Sequence, residues 1–318
     1  MLKTIAIVTL LVRQLAPVTA AYEEHLGYRD AGQGTVPTEL AAAWNAPAMT
    51  GRHYALLQPE SGAEVYLRFI EAPPGNLPVP ALRTHGWNAT ELLVEDPDAL
   101  LRRLDGTPFR VIGAPANLTA GENAPRAAQV IGPAGEVLYL TRIIPGGSGF
   151  DLGYARTPVD RVFIAVVGGP SIDALRAWYG GVLGLPLSDN FEWRIDVLAR
   201  AHSLPVDTLF KLAVAIMPKD FLVEIDGYPA TARPRPRAPG SLPGGMAMVS
   251  FTTGSLDRQG LRWRAPPRVV AAFPYRGRRV AVTEGPAGEW LELLEDVPAA
   301  GAPHAAILPA PTGHREPP

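Results

Sequence analysis

The chain has 318 residues, enough for more than one domain, and 47% of them are hydrophobic, enough for sizeable cores. Its 29 Lys and Arg residues against 31 Asp and Glu leave no net field to recruit nucleic acid or an anionic membrane, and the lack of cysteine removes disulfides, thiolate metal ligands and thiol nucleophiles. The 34 prolines and 32 glycines predict defined turns and extended connections rather than long helices.

The first segment, "MLKTIAIVTLLVRQLAPVTA", has the lysine, apolar run and small residues of a secretory leader. Its apolar run is short, however, Arg13 interrupts it, and its Ile, Val and Thr favour a strand. The stretch that follows, "AAYEEHLGYRD" (20–30), reappears as "AWYGGVLGLPL" (177–187), with Tyr22, Leu26 and Gly27 answered by Tyr179, Leu183 and Gly184. Each copy follows an apolar strand, "TIAIVTLLV" or "RVFIAVV" (161–167). A segment with a twin deep in the chain belongs to the fold, so the first segment is expected to be a strand.

Four units follow from this repeat, each read as a strand, a helix and further strands. They span about 3–72, 84–144, 158–228 and 244–296. Units two and four end in the same turn and strand, "GPAGEVLYLT" (132–141) and "GPAGEWLELL" (285–294), while units one and three share the Tyr-x3-Leu-Gly helix. No Lys-Ser/Thr follows the glycines, so GPAGE is read as a turn entering a strand and not as a phosphate loop. A duplicated pair of units is the simplest account. It predicts an N-terminal paired-module domain over 1–145, a linker over 146–157, a C-terminal paired-module domain over 158–296 and an extended tail over 297–318. Units one and three also align "PTELAAAWNAPAMTGRHYALLQP" (37–59) with "DVLARAHSLPVDTLFKLAVAIMP" (196–218), which sets Trp44 against His202 and Pro47 against Pro205. The Leu and Ala spacing before those prolines predicts a short helix roofing each sheet. The basic, Pro-rich "ARPRPRAPG" is read as a solvated connection.

A strand, a helix ending in Tyr-x3-Leu-Gly, further strands and a Gly-x2-Gly-Glu turn into an apolar strand resemble the vicinal oxygen chelate superfamily of glyoxalases, bleomycin-resistance proteins and extradiol dioxygenases. The resemblance covers nearly the whole chain as four modules. It implies an α+β fold of duplicated βαβββ modules that form two curved, mixed-sheet, open-barrel domains, each wrapping a pocket. It also implies a divalent metal held by His or Glu on the first and last strands of paired modules. Carried onto this chain, the last-strand slots fall at Arg68, Tyr139, Glu224 and Glu292, and the first-strand slots at Thr4, Ala89, Arg161 and Ala247 or Met248. Two carboxylates and no histidine occupy these slots, whereas a transition-metal site ordinarily takes three protein ligands with imidazole among them. No metal or other cofactor is therefore expected.

Arg161 offers a substitute cation, because a guanidinium is permanently charged and forks onto carboxylates. Set between Glu224 and Glu292 it would offset part of their charge, and two close carboxylates push one pKa upward, giving a general acid beside a general base. The competing reading of the three is an ion pair that closes a strand edge. His202, on the roofing helix of unit three, is a further candidate for proton transfer. Tyr139, Arg68, Trp44 and His85 are candidate substrate-binding residues, with His85, Trp87 and Glu91 alternating onto one face of their strand.

The expected function is a metal-independent acid–base enzyme, a lyase, isomerase or ring-processing hydrolase, acting on a small aromatic or carbonyl compound in a C-terminal-domain pocket. A metal-dependent dioxygenase or glyoxalase-like enzyme and a non-catalytic small-molecule binding protein are the rivals. The expected partner is a small-molecule substrate, with no nucleic acid and no membrane, room for a homodimer, and a cytoplasmic location.

Overall fold

The β-branched N-terminal segment folds as the strand its twin predicts. The computed structural model describes residues 2–75, 79–257 and 260–296; the tail expected over 297–318 lies outside the described residues. Unit one comprises β1 (Leu2–Val12), α1 (Leu15–Leu26), β2 (Arg29–Thr35), α2 (Thr38–Ala43), β3 (His53–Gln58) and β4 (Tyr66–Glu71). Unit two comprises β5 (Gly86–Val94), α3 (Pro97–Leu104), β6 (Arg110–Asn117), β7 (Arg126–Ile131) and β8 (Val137–Arg142). Unit three follows as β9 (Val159–Gly169), α4 (Ile172–Arg176), β10 (Phe191–Arg194), α5 (Asp196–Ala201), β11 (Leu209–Met217) and β12 (Phe221–Gly227). Unit four is β13 (Met246–Thr253), β14 (Arg268–Val270), β15 (Arg278–Glu284) and β16 (Trp290–Glu295). It departs from expectation in having no helix among the described residues, where Pro266 and Pro267 interrupt the connection to β14.

The strands form two curved, mixed, eight-stranded sheets in an α+β fold, ordered β14-β15-β16-β13-β1-β4-β3-β2 and β10-β11-β12-β9-β5-β8-β7-β6. This order corrects the expected pairing of units. Unit one shares its sheet with unit four, through antiparallel β1 and β13, and unit two shares its sheet with unit three, through antiparallel β5 and β9. Domains of 1–145 and 158–296, each wrapping its own pocket, are therefore not what the sheets build. Every unit presents the same kind of first-strand edge for pairing, so the repeat alone does not select a partner.

Three hydrophobic clusters fill the molecule. One joins a face of each sheet to α1, α3 and α4, through residues such as Val8, Phe69, Leu100, Val167, Leu175 and Leu291. The other two fill the opposite, concave faces, one per sheet, and form two cups. The repeated GPAGE turn works in the shared region. Gly135 and Gly288 adopt left-handed conformations, at φ of 82° and 79°, that suit glycine. A Cβ on Gly132 or Gly285 would fall 2.0 Å from the tucked carboxyl of Glu136 or Glu289. The turn glutamates reach the Tyr-x3-Leu-Gly helices of the other sheet: the Tyr22 hydroxyl donates to Glu136 Oε1 at 2.5 Å. Glu289 acts likewise on Tyr179, although those two oxygens lie outside hydrogen-bonding geometry. The repeated tyrosine and the repeated glutamate thus meet across the two sheets.

Candidate functional site

In each sheet, a first-strand residue lies beside the last-strand slot residue. The register sets Thr9 beside Arg68, Glu91 beside Tyr139, Val166 beside Glu224, and Ser250 beside Glu292. The last-strand assignments from the sequence stand; the first-strand ones move along the chain. Strand bulges contribute, since β1 shifts register at three places and β5 at three more. Because units one and four pair, Arg68 and Glu292 meet in the first cup, and Tyr139 and Glu224 in the second.

The first cup is closed. Glu292 is 0% exposed, and both its carboxylate oxygens are occupied. Trp44 Nε1 donates to Oε1 at 2.5 Å and the Tyr275 hydroxyl donates to it at 2.9 Å. Ser250 Oγ donates to Oε2, and Arg68 Nη2 approaches the same oxygen at 3.4 Å. Arg68 also donates from Nε and Nη2 to Thr9 Oγ1 at 3.0 and 2.8 Å, and from Nη1 to the Tyr275 oxygen. Its guanidinium lies 4.8 Å over the Trp44 ring. Burial works against its charge, but Tyr275 and Glu292 hold its pKa above the ordinary arginine value. Trp44 reaches this place because α2 stops at it: Asn45 takes a left-handed conformation, a common helix terminator. The space left beside Trp44, Arg68 and Tyr275 is about 10 Å³, at the lower limit for one water.

The second cup has the same architecture and a different chemistry. Glu224 and Asp226 project from one face of β12 and Glu91 approaches from β5, with Tyr139 and Tyr228 beside them. Burial, then Glu224, raises Glu91 to about 8. Burial also raises Asp226, to about 7, and with the Asp226 charge it raises Glu224 well above the usual carboxylate range. The only side-chain hydrogen bond to Glu91 among the described residues is from Thr141 Oγ1 at 2.7 Å, and Asp226 Oδ1 has no partner there. Residual exposure collects in this cup, at 8% for Tyr139, 6% for Tyr228 and 5% for Glu91, with Glu224 more open still.

The expected trio of Glu224, Glu292 and Arg161 is not brought together. Glu292 and Glu224 belong to different sheets. Arg161 lies five residues from Val166, the neighbour of Glu224, and so roughly 16 Å away along β9. It pairs instead with Asp220 at 3.6 Å and stacks over Phe221 at 5.2 Å, its pKa lowered chiefly by burial. An arginine does oppose Glu292, but it is Arg68. The alignment of Trp44 with His202 holds, since His202 ends α5 just as Trp44 ends α2, with Ser203 left-handed after it. Both His202 nitrogens are engaged, Nδ1 with Thr231 Oγ1 at 2.7 Å and Nε2 with the Leu82 carbonyl at 2.8 Å, so the ring latches two loops rather than facing the carboxyls. His85 sits just before β5, its pKa lowered by burial and then by Arg233 and Arg235. The bulge between Trp87 and Ala89 also separates residues expected on one face: Trp87 joins the core between the sheets, its Nε1 donating to the Trp290 carbonyl at 2.7 Å, and Glu91 joins the cup. Nor is "ARPRPRAPG" merely solvated. Arg235 bonds Thr84 Oγ1, the Trp87 carbonyl and the Met246 carbonyl, linking the two sheets, and burial lowers its pKa to about 10.

In the first cup, four donors use both Glu292 oxygens and the Arg68 guanidinium supplies the positive charge. In the second, no group of three His, Asp or Glu side chains converges as a ligand set among the described residues.

No protein-family model matches the sequence, and no curated protein matches it. Solved structures do. Glyoxalase I from Zea mays aligns at 13% identity with a TM-score of 0.60, covering 92% of each chain, and a point mutant of that enzyme aligns at 0.61, covering 92% of this chain and 93% of that one. A putative dioxygenase from Bacillus subtilis aligns at 13% identity and 0.59, covering 93% of this chain and 86% of that one. The chain shares the fold of these glyoxalase and dioxygenase structures. Among the described residues no helix is long and apolar enough to cross a membrane.

Proposed function

We propose that the protein is an enzyme that performs acid–base chemistry, without a metal, on a small aromatic or carbonyl compound held in the second cup. The observation that carries this reading is that Glu91, Glu224 and Asp226 share one incompletely sealed concave face and act electrostatically on one another. Burial and the charges these groups exert on one another oppose ionisation of all three at neutral pH, so the set holds both an acid and a base. Asp226, at about 7, is the base: its carboxylate takes a proton from the carbon next to a carbonyl. Glu224, held protonated by burial, donates a proton to the carbonyl oxygen or returns one to carbon. The Tyr139 and Tyr228 hydroxyls remain neutral and orient that oxygen. In this reading the substrate lies against strands of units two and three together rather than in a C-terminal domain.

The test is deuterium wash-in. Chelator-treated protein in D2O is given a panel of enolisable aryl ketones and aldehydes, and exchange next to the carbonyl is followed by proton NMR. Exchange above the buffer rate is expected, rising as pH passes about 7 and falling about 100-fold or more in Asp226→Asn or Glu224→Gln. Exchange that appears only on adding a divalent metal would return the metal-dependent reading. Compounds that bind without exchanging would leave a sequestration protein.

A further inference from the structure

At the margin of the first cup, an open cleft of about 590 Å³ lies where the two sheets and the connection between units two and three come together. Its volume is in the range of small-molecule sites. Walls come from β1, β4, β13 and β16 on one side and from β9 and the β11–β12 turn on the other, with Gly153 and Tyr154 of the linker over them.

The charges in this cleft are unbalanced. Arg156, Arg161, Lys219, Arg276 and Arg278 line it, against three acids. Each acid is already engaged: Glu64 with Arg276 at 3.2 Å, Asp220 with Arg161 at 3.6 Å, and Asp296 with Lys3 at 2.5 Å. Lys219 and Arg278 have no carboxylate partner among the described residues. The guanidiniums of Arg276 and Arg278 act together on the Tyr66 hydroxyl, offsetting part of the rise that burial and Glu64 give its pKa. Three lining residues that are not glycine, Lys219, Asp220 and Arg276, take left-handed conformations, at φ of 60°, 65° and 52°. Such conformations are uncommon for residues with a side chain, and here they concentrate at one cleft. A Cβ at Gly153 would stand 2.9 Å from Asp220 Oδ2 and 3.2 Å from Arg161 Nη2, so the linker passes close over that pair. Beside the cations, the exposed ring of Tyr154 and the half-buried Pro274 supply apolar surface.

We infer that this cleft binds a small organic anion, its carboxylate or phosphate oxygens facing Arg278, Lys219 and Arg161 and its apolar body lying against Tyr154 and Pro274. Two unpartnered cations and a third in a loose ion pair supply charge-assisted donors, and the apolar wall favours an organic anion over an inorganic one. The site is separate from the carboxyl-lined cup, which repels anions, so it stands whether or not the cup is catalytic.

Calorimetric titration of the full chain with benzoate, phenyl phosphate and inorganic phosphate tests this. Saturable binding of benzoate or phenyl phosphate is expected, tighter than inorganic phosphate, and whichever is tighter identifies the headgroup. Lys219→Gln and Arg278→Gln should each weaken binding about tenfold, and the double variant more. These side chains are exposed or half-buried, and a denaturation curve for each variant checks that it is folded. Absence of saturation by either organic probe up to about 10 mM, near the weak limit of specific binding, would overturn the proposal. So would affinity for inorganic phosphate equal to that of both organic probes, or binding unchanged in a folded double variant.

Discussion

The two cups are built from the same parts and used differently. Each has a last-strand residue from two units, a residue at the end of a short roofing helix, and a tyrosine outside the slot strands. In the first cup these are Arg68, Glu292, Trp44 and Tyr275, and every charge has a partner. In the second they are Tyr139, Glu224, His202 and Tyr228, the roofing residue is turned to the loops, and no ion pair reaches Glu224, Asp226 or Glu91 among the described residues. One arginine makes much of the difference. With Arg68 opposite it, a glutamate in an apolar cup is a satisfied structural group; with Tyr139 opposite, a glutamate is left to share protons with Asp226 and Glu91. Closing a cup and priming one are alternative outcomes of a single slot.

Breaking the ion pair in the first cup should have the largest effect. Arg68→Met leaves Glu292 buried without its cation and should cost about 3–5 kcal/mol in urea denaturation, whereas Arg68→Met combined with Glu292→Leu should recover most of that loss. A double variant as unstable as the single would mean that the hydrogen-bonded frame, not charge compensation, holds the cup. Glu292→Gln belongs to the same test: its effect is expected on stability, because the carboxylate has no access to a ligand.

Stability against pH sharpens the contrast from the other side. Glu91, at about 8, and Asp226, at about 7, have folded pKa values above their unfolded ones. The folded state therefore holds more protons, and the stabilising contribution is complete below pH about 4, falling as pH rises until it passes about 8. Each such group contributes a slope of about 1.4 kcal/mol per pH unit within its own window. Glu91→Gln should make the decline between pH 5 and 8 shallower by up to that amount, and an unchanged slope would mean that Glu91 ionises freely in the folded protein. Glu136 and Glu289, raised mainly by burial to about 7 and about 8, add to the same decline from the region between the sheets.

A matched pair of hydroxyl deletions gives the smallest effects. Tyr275→Phe strips a donor from Glu292 and an acceptor from Arg68, and should cost about 1–3 kcal/mol. Tyr139→Phe removes a hydroxyl that has no side-chain hydrogen bond among the described residues, and should change stability by less than about 1 kcal/mol. Equal losses in the two variants, read by chemical denaturation, would erase the distinction between a closed cup and an open one.

Much of the candidate site was visible as single residues. Glu224, Asp226, Glu91 and Tyr139 are polar groups in strands that are otherwise apolar, and a buried polar residue is the informative kind. Thr9 and Ser250 carried the same signal in "IVTLLV" and "MVSFTT" and were overlooked. Tyr275 carried none, because its connection has no period that marks it as part of the first cup. Arg161 was misplaced because its slot was read at the start of β9, while the residue beside Glu224 is Val166, farther along the strand.

By itself the sequence determined what is local and repeated. Periodicity, turn chemistry and the duplicated motifs specify four similar units, a first strand at Leu2–Val12, a GPAGE turn that needs its glycines, and matching helix ends at Trp44 and His202. These follow from contacts between near neighbours and from backbone conformation, so a one-dimensional pattern records them. The partnership of the units belonged to the tertiary structure. Pairing β1 with β13 and β5 with β9 is a choice among equivalent strand edges, and no residue pattern within a unit encodes it. That choice puts Arg68 against Glu292 and leaves Glu224 with Asp226 and Glu91. Charge compensation depends on distance through space, and so the same carboxylate slot faces a cation in one sheet and other acids in the other.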